Sequence, residues 1–236
     1  MTLDTDKISL SYFDGDQMTF AVRDITISIP QTGIYGIMGP SGSGKSSLLY
    51  LMSGLKRPTS GSIQYDGRSL SEMPEYERVR IRRERFGFVF QQPFLLNYLT
   101  ARENVLIAAS KSARDSGPQV DALLEDLNIA HLGKRFPAHL SGCERQRIIV
   151  ARAMINRPEI IFADEPTAAL DHGNGRAVIE LLMRYREQGT VLIVSHDPTM
   201  LSDADRIFHL SDGNLDHIEE RTKSKVAETA TRAEPG

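Results

Sequence analysis

The chain is expected to fold as an α/β protein, with a mostly parallel sheet covered by helices. Short apolar runs of strand character, such as 160–165 (IIFADE) and 190–196 (TVLIVSH), alternate with segments whose apolar residues recur at helical spacing. A glycine-rich stretch, 39–46 (GPSGSGKS), sits between one such strand and an apolar helical segment. Hydrophobic residues make up 40% of the 236 residues and charged residues 25%, the balance of a globular protein able to fill such a core.

The elements follow in order. Residues 19 to 38 read as two strands, TFAVRDITISI and GIYGIMG, separated by a turn at PQTG (30–33). After the glycine-rich stretch, LLYLMSGL reads as a helix. TSGSIQYDGRSL carries a hairpin signal, EYERVRIRRER is densely charged, and FGFVFQ is a strand. From 93 to 156 the character turns helical. Val120, Leu123, Leu124 and Leu127 mark one buried helix face, and Val178, Leu181, Leu182 and Tyr185 mark another. IIFADE reads as a strand buried on both faces, because it is short, apolar and ends in acids. From about Glu219 onward apolar residues almost vanish and charges of both signs mix with Thr and Ala, the composition of a disordered tail over 219–236.

The bulk properties weigh on several classes. A net charge of −3 gives no global attraction to nucleic acid and leaves only a local basic patch open. A single cysteine, Cys143, cannot form an internal disulfide and has no companion cysteine for a metal. The N-terminus, MTLDTDKISL, lacks the basic-then-apolar pattern of a secretory signal. No apolar run approaches the roughly 20 residues that span a bilayer, so membrane work requires another chain.

Gly39-Pro40-Ser41-Gly42-Ser43-Gly44-Lys45-Ser46 fits the P-loop pattern in full, between a strand and a helix, with Ser47 following. Glycines let backbone N–H groups turn toward phosphate oxygens, and the helix N-terminus adds positive potential. Lys45 suits the β- and γ-phosphates, and the Ser46 hydroxyl suits Mg²⁺. The chain is therefore expected to bind a nucleoside triphosphate. Acids at a strand end are common, but beside a P-loop they answer a need. Asp164 suits the water shell of Mg²⁺, and Glu165 suits the attacking water.

GPSGSGKS (39–46), FVFQ (88–91), LSGCERQR (140–147), IIFADEPTAALD (160–171) and IVSHD (193–197) occur in the order and spacing of the ATP-binding cassette ATPases of ABC transporters. The resemblance covers roughly residues 6 to 218. It implies a P-loop α/β fold with a mixed sheet core and a helical subdomain at about 92–156, within one domain over 1–218. It also implies ATP and Mg²⁺ as ligands.

Carried residue by residue, the resemblance makes Tyr12 the aromatic that stacks on adenine; a strand-pairing aromatic is the other reading, and Phe13 is its neighbour. Gln91 resembles the glutamine that reaches Mg²⁺ and the attacking water, and His196 the histidine that contacts the γ-phosphate and supports Glu165. Asp171, in Ala169-Leu170-Asp171, resembles the loop that crosses to a second subunit. Ser141, Gly142, Cys143 and Glu144 resemble the signature that faces the ATP on the P-loop of a second copy in a head-to-tail sandwich. The family normally has glycine where Cys143 stands. One reading is that its Cβ and sulfur loosen the sandwich; the other, which we favour, is a tolerated small residue that keeps the backbone donor.

The segment PFLLNYLTARENV (93–105) is similar to that of ATPases from lipoprotein-releasing, macrolide-exporting and heterocyst-glycolipid-exporting systems, and the resemblance makes 91–105 a groove for a coupling helix of a separate permease. The expected partners are that permease and a second copy of the chain, with no nucleic acid. The expected place is the cytoplasmic face of the inner or plasma membrane. A cell-division-type or soluble ABC ATPase without a transported substrate is the alternative. The single cassette and the lack of a long coiled-coil insert weigh against its soluble forms.

Overall fold

The computed structural model describes residues 2–15, 17–30 and 32–221. Among the described residues, ten strands and six α-helices form two sheets and a helical layer, with short 3₁₀ turns between them. The strands are β1 (Leu3–Asp14), β2 (Gln17–Ile29), β3 (Gly33–Met38), β4 (Ser60–Tyr65), β5 (Arg68–Ser69), β6 (Phe86–Val89), β7 (Ile160–Asp164), β8 (Thr190–Val194), β9 (Arg206–Ser211) and β10 (Asn214–Glu220). The helices are α1 (Lys45–Met52), α2 (Glu75–Glu84), α3 (Ala101–Leu106), α4 (Ala113–Asp126), α5 (Gly142–Met154) and α6 (His172–Arg184).

The larger sheet has the order β10-β9-β3-β8-β7-β6. Strands β9, β3, β8, β7 and β6 run parallel, and only the edge strand β10 is antiparallel. Both faces are covered, so alternate residues enter different cores. Ile161, Ala163, Val191 and Ile193 pack toward the helical layer. Ile160, Phe162, Leu192 and Val194 pack toward α1 and the second sheet. This double burial is why IIFAD and TVLIV read as continuous apolar runs rather than alternating ones. The predicted helix faces are inside: Val120, Leu124 and Leu127 from α4 and its end, and Val178, Leu182 and Tyr185 from α6 and its end. The densely charged 75–84 segment is α2, and the hairpin signal after α1 became β4 and β5.

One element adds to the expected fold and two expectations are corrected. First, the described residues include a second, wholly antiparallel sheet of order β2-β1-β4-β5, and its strand β1 escapes a reading by alternation. The reason is local. Register shifts lie between Thr5 and Ile8 and between Ile8 and Leu10, with Lys7 left-handed at φ 46, so the inward side chains fall out of period two. Two of them are polar. Thr5 is 3% exposed with its Oγ1 accepting from Ile27 N–H at 2.8 Å, and Ser9 is 2% exposed with its Oγ accepting from Asp24 N–H at 2.9 Å.

Second, Glu219 and Glu220 are not tail but the end of β10, opposite Ile207 and Arg206. Arg206 pairs with Glu220 at 2.6 Å, and the Arg221 guanidinium donates to Leu201 O at 2.8 Å. Cross-strand charge pairs hold this polar strand where apolar residues do not. The tail from 222 to 236 lies outside the described residues, as does Gln31 of the predicted turn.

Third, the segment from 92 to 100 is not helical. Asn104, fully buried, folds it back by donating to Leu96 O, Leu99 O and Thr100 O and accepting from Leu96 N–H at 2.8 Å. Helix α3 starts only after the Thr100–Glu103 capping box.

Candidate active site

The parallel strands deliver their carboxyl ends to one edge of the sheet, where open α/β sheets bind ligands. The P-loop follows β3, Gln91 lies two residues beyond β6, Asp164 ends β7 with Glu165 next, and His196 lies two residues beyond β8. A cleft of about 570 Å³ opens there. Its P-loop wall comprises Ser41, Gly42, Gly44, Lys45, Ser46 and Ser47. Gln91, Glu165 and His196 face it from the other strands.

The P-loop backbone is shaped by close approach. Gly44 sits left-handed at φ 94, and a Cβ there would lie 2.1 Å from Ala21 O, so only glycine fits. At Gly39 a Cβ would lie 2.2 Å from Leu210 O. Gly213 N–H, in the β9–β10 turn, donates to Ser43 O at 3.2 Å and supports the loop from beneath. Lys45 is 7% exposed, and its ammonium curls back to donate to Gly39 O at 2.9 Å and Pro40 O at 2.8 Å. Helix α1 has no side-chain cap and no acid in its first turn. Its leading N–H groups and the ammonium together make an anion cradle.

Asp164 is 5% exposed. Its Oδ1 accepts from the Ser46 hydroxyl at 2.8 Å and its Oδ2 from the Tyr50 hydroxyl at 2.7 Å. Burial, reinforced by that bond to Asp164, pushes the Tyr50 phenol well above its ordinary range. In the sequence Tyr50 reads only as part of an apolar helix. Its spacing of four from Ser46, which puts both on one side of α1, is the signal that could have marked it.

Glu165 is a non-glycine residue in left-handed conformation at φ 46, a state costing about 1–2 kcal/mol that persists where the surroundings impose it. Its N–H donates to Val194 O at 3.1 Å, and its Oε2 meets His196 Nδ1 at 2.9 Å. The side chain is 15% exposed while that of His196 is 65% exposed, so the histidine leans over the carboxylate from the solvent side.

The remaining predicted site residues are not gathered here. Ser141 caps α5, its Oγ accepting from Glu144 N–H at 3.2 Å while Glu144 Oε2 accepts from Ser141 N–H at 2.8 Å. The Ser141 backbone N–H, then its hydroxyl, hold the Glu144 carboxyl below its usual range. Gly142 is exposed and Cys143 is a half-exposed free thiol. Asp171 caps α6, accepting from Asn174 N–H at 3.0 Å, and this bond leads the lowering of its pKa. The 168–171 segment joins the two places, since Ala168 lines the cleft and a Cβ on Gly142 would lie 3.6 Å from Leu170. Tyr12 lies on β1 opposite Thr19, half-exposed, with Lys56 donating to its hydroxyl at 2.6 Å; it is not part of the cleft wall.

A phosphate cradle with two strand-end acids defines a P-loop nucleoside triphosphatase. The family described as ABC transporter matches residues 22–168. A macrolide export ATP-binding/permease protein, MacB of Neisseria gonorrhoeae, is 40% identical over 213 residues, 89% of this chain but 33% of its own length. An uncharacterized ABC transporter ATP-binding protein, MJ0796 of Methanocaldococcus jannaschii, is 37% identical over 222 residues, covering 90% of this chain and 94% of its own. The dimeric structure of that cassette in a post-hydrolysis state with ADP and Pi superposes with a TM-score of 0.85 at 33% identity, over 92% of this chain and 98% of the other. The chain thus belongs to the ABC transporter family, as an ATP-hydrolysing cassette. It spans about a third of the length of the macrolide-export relatives it matches. No helix among the described residues is long and apolar enough to cross a membrane.

Proposed function

We propose that the chain is the ATPase subunit of a transporter, hydrolysing ATP as a head-to-tail homodimer to drive export or mechanotransmission through a separate membrane permease that holds it at the cytoplasmic membrane face. The observation that carries this reading is the division of the family's motifs between two places. The P-loop, Gln91, Glu165 and His196 share one cleft, while the Ser141–Glu144 signature lies outside its wall, as expected if each site is completed by a second copy.

The residues fit the ligands. The uncapped α1 N-terminus and Lys45 hold the β- and γ-phosphates. Ser46 Oγ, Asp164 and the Gln91 side chain form a set of hard oxygens suited to Mg²⁺, which when bound neutralises charge on the phosphates. With Oε2 of Glu165 engaged by His196, its Oε1 is left for the water. The water oxygen attacks the γ-phosphorus, the bond to the β–γ bridging oxygen breaks, ADP leaves with that electron pair, and Glu165 orients the water and takes its proton. His196 fixes the carboxylate and reaches the γ-phosphate. Ser141 and the backbone at Gly142 and Cys143 approach that phosphate from the second copy, with the Asp171 segment beside them, and Tyr12 stacks on adenine. Exposed Phe94 and Tyr98 belong to the groove for the permease.

Glu165→Gln tests the reading. Turnover falls about 10²- to 10⁴-fold, ATP still binds, and size-exclusion chromatography with ATP gives a dimer from a protein that is monomeric without nucleotide. Near-normal turnover in this variant, or failure of ATP to dimerise it, would refute the reading.

A further inference from the structure

Ser46 and Tyr50 stand one helical turn apart on α1 and take one oxygen each of the same carboxylate. Ser46 lines the nucleotide cleft and Tyr50 is not part of its wall, so the two hydroxyls grip Asp164 from the ligand side and from behind. A carboxylate with a single donor keeps a rotation about χ2; one with both oxygens bound does not. The phenol is itself fixed. Tyr50 is half-buried, and its ring packs edge-on against Phe90, centroids 6.4 Å apart at 64°, with Phe88 stacked on Phe90 at 5.8 Å. The bond joins residues 114 positions apart, which ties α1 to the end of β7 independently of the P-loop.

We propose that Tyr50 is a positioning residue for the reaction: its hydroxyl holds Asp164 Oδ2 so that Oδ1 stays aimed at Ser46 Oγ, pre-setting the oxygen pair that serves Mg²⁺. The proposal rests on Asp164 being the metal-serving carboxylate of the preceding section. Tyr50 touches neither the nucleotide nor the reacting atoms. It acts through Asp164, as hydrogen-bond partners behind metal-serving groups do. Its removal therefore weakens the apparent affinity for Mg²⁺ and leaves metal-free nucleotide binding alone, a split that a residue merely filling space would not produce.

The test uses the full chain, a fluorescent ATP analogue and a Mg²⁺ titration, with binding in EDTA and thermal melting alongside. Tyr50→Phe keeps the ring and removes only the hydroxyl. It is expected to raise the Mg²⁺ concentration at half-maximal nucleotide response and at half-maximal turnover about tenfold, with binding in EDTA within about twofold of the parent. Tyr50→Leu shows the same Mg²⁺ shift and in addition a lowered Tm, since it also removes the ring. A Tyr50→Phe midpoint equal to the parent's overturns the proposal, as does loss of binding in EDTA equal to that in Mg²⁺. Asp164→Asn separates the premise: if it leaves the Mg²⁺ response unchanged, Asp164 is not the metal-serving carboxylate, whereas if it abolishes the response and Tyr50→Phe does not move it, only the role of Tyr50 fails.

Discussion

Two helix N-termini in this protein carry small residues in glycine-containing motifs and are built in opposite ways. Helix α1 begins at left-handed Gly44, with no side-chain cap and no acid in its first turn. Helix α5 begins at Ser141 with a complete capping box and Glu144 in its first turn. Four N–H groups at a helix start need partners, and a side-chain cap or a ligand can supply them. At α1 the partner is left to an anion, and Lys45 adds charge beside it. At α5 the capping box satisfies the Ser141 and Glu144 N–H groups, so an incoming phosphate meets a Ser141 hydroxyl already in use and a carboxylate one turn in. The first end presents an open anion cradle within one copy of the chain. The second is a stable helix start, which on the proposed reading contacts phosphate only when a second copy closes upon it.

The largest expected effect strikes the α1 cradle. Lys45→Ala removes a charged donor worth about 1.5–3 kcal/mol, so ATP affinity measured by fluorescence titration falls about 10- to 150-fold. Binding within twofold of the parent would mean that the α1 backbone alone holds the phosphates, and the contrast with α5 would narrow to capping.

A smaller effect probes the other end through Cys143, the single cysteine of the sequence. In the Glu165→Gln background, a closed dimer populated to about 90% slows modification of Cys143 by a thiol reagent about tenfold; mass spectrometry reads the rate with and without ATP and Mg²⁺. Labelling that ignores ATP removes Cys143 from a closing interface. Cys143→Gly keeps or raises turnover and abolishes sensitivity to the reagent, whereas a sharp fall would make the cysteine a requirement rather than a tolerated substitution.

The smallest effect concerns the cap. The Glu144 carboxyl is held below its ordinary 4.5. A carboxyl whose pKa is depressed on folding adds stability above its unfolded pKa and loses it as pH falls through the folded value. Glu144→Gln keeps the box geometry but not the charge. It lowers Tm by about 1–4 °C at pH 7, taking about 0.3–1 kcal/mol for an acid at a helix start, and the difference from the parent closes as pH drops below about 4.5. A Tm gap that persists at lower pH would assign the cap to neutral hydrogen bonding alone.

The same contrast marks what could be read before folding. The α1 end was legible because a phosphate cradle is contiguous: Gly39 to Ser46 must be neighbours in sequence for their N–H groups to converge. Strands β7 and β8 were legible because burial on both faces leaves only apolar residues. The capping box at α5 also lies in the sequence as Ser141 and Glu144, three apart, but the same string resembles a phosphate-facing signature, and the pattern alone does not separate the two roles. Strand β1 was hidden by its register shifts and inward polar residues Thr5 and Ser9, and the end of β10 by charge pairs that mimic a solvated tail.

The sequence by itself determined the chemistry: a triphosphate cradle, a strand-end pair of acids and a signature, each a local string whose function depends on residues only a few positions apart. Tertiary structure decided the convergence. Parallel strands need long crossovers, so the edge that gathers Gln91, Asp164, Glu165 and His196 is assembled from segments no short-range pattern can relate. Whether a tyrosine in an apolar helix fills space or grips a carboxylate depends on which strand end its helix packs against, and for Tyr50 that is β7, 114 residues away.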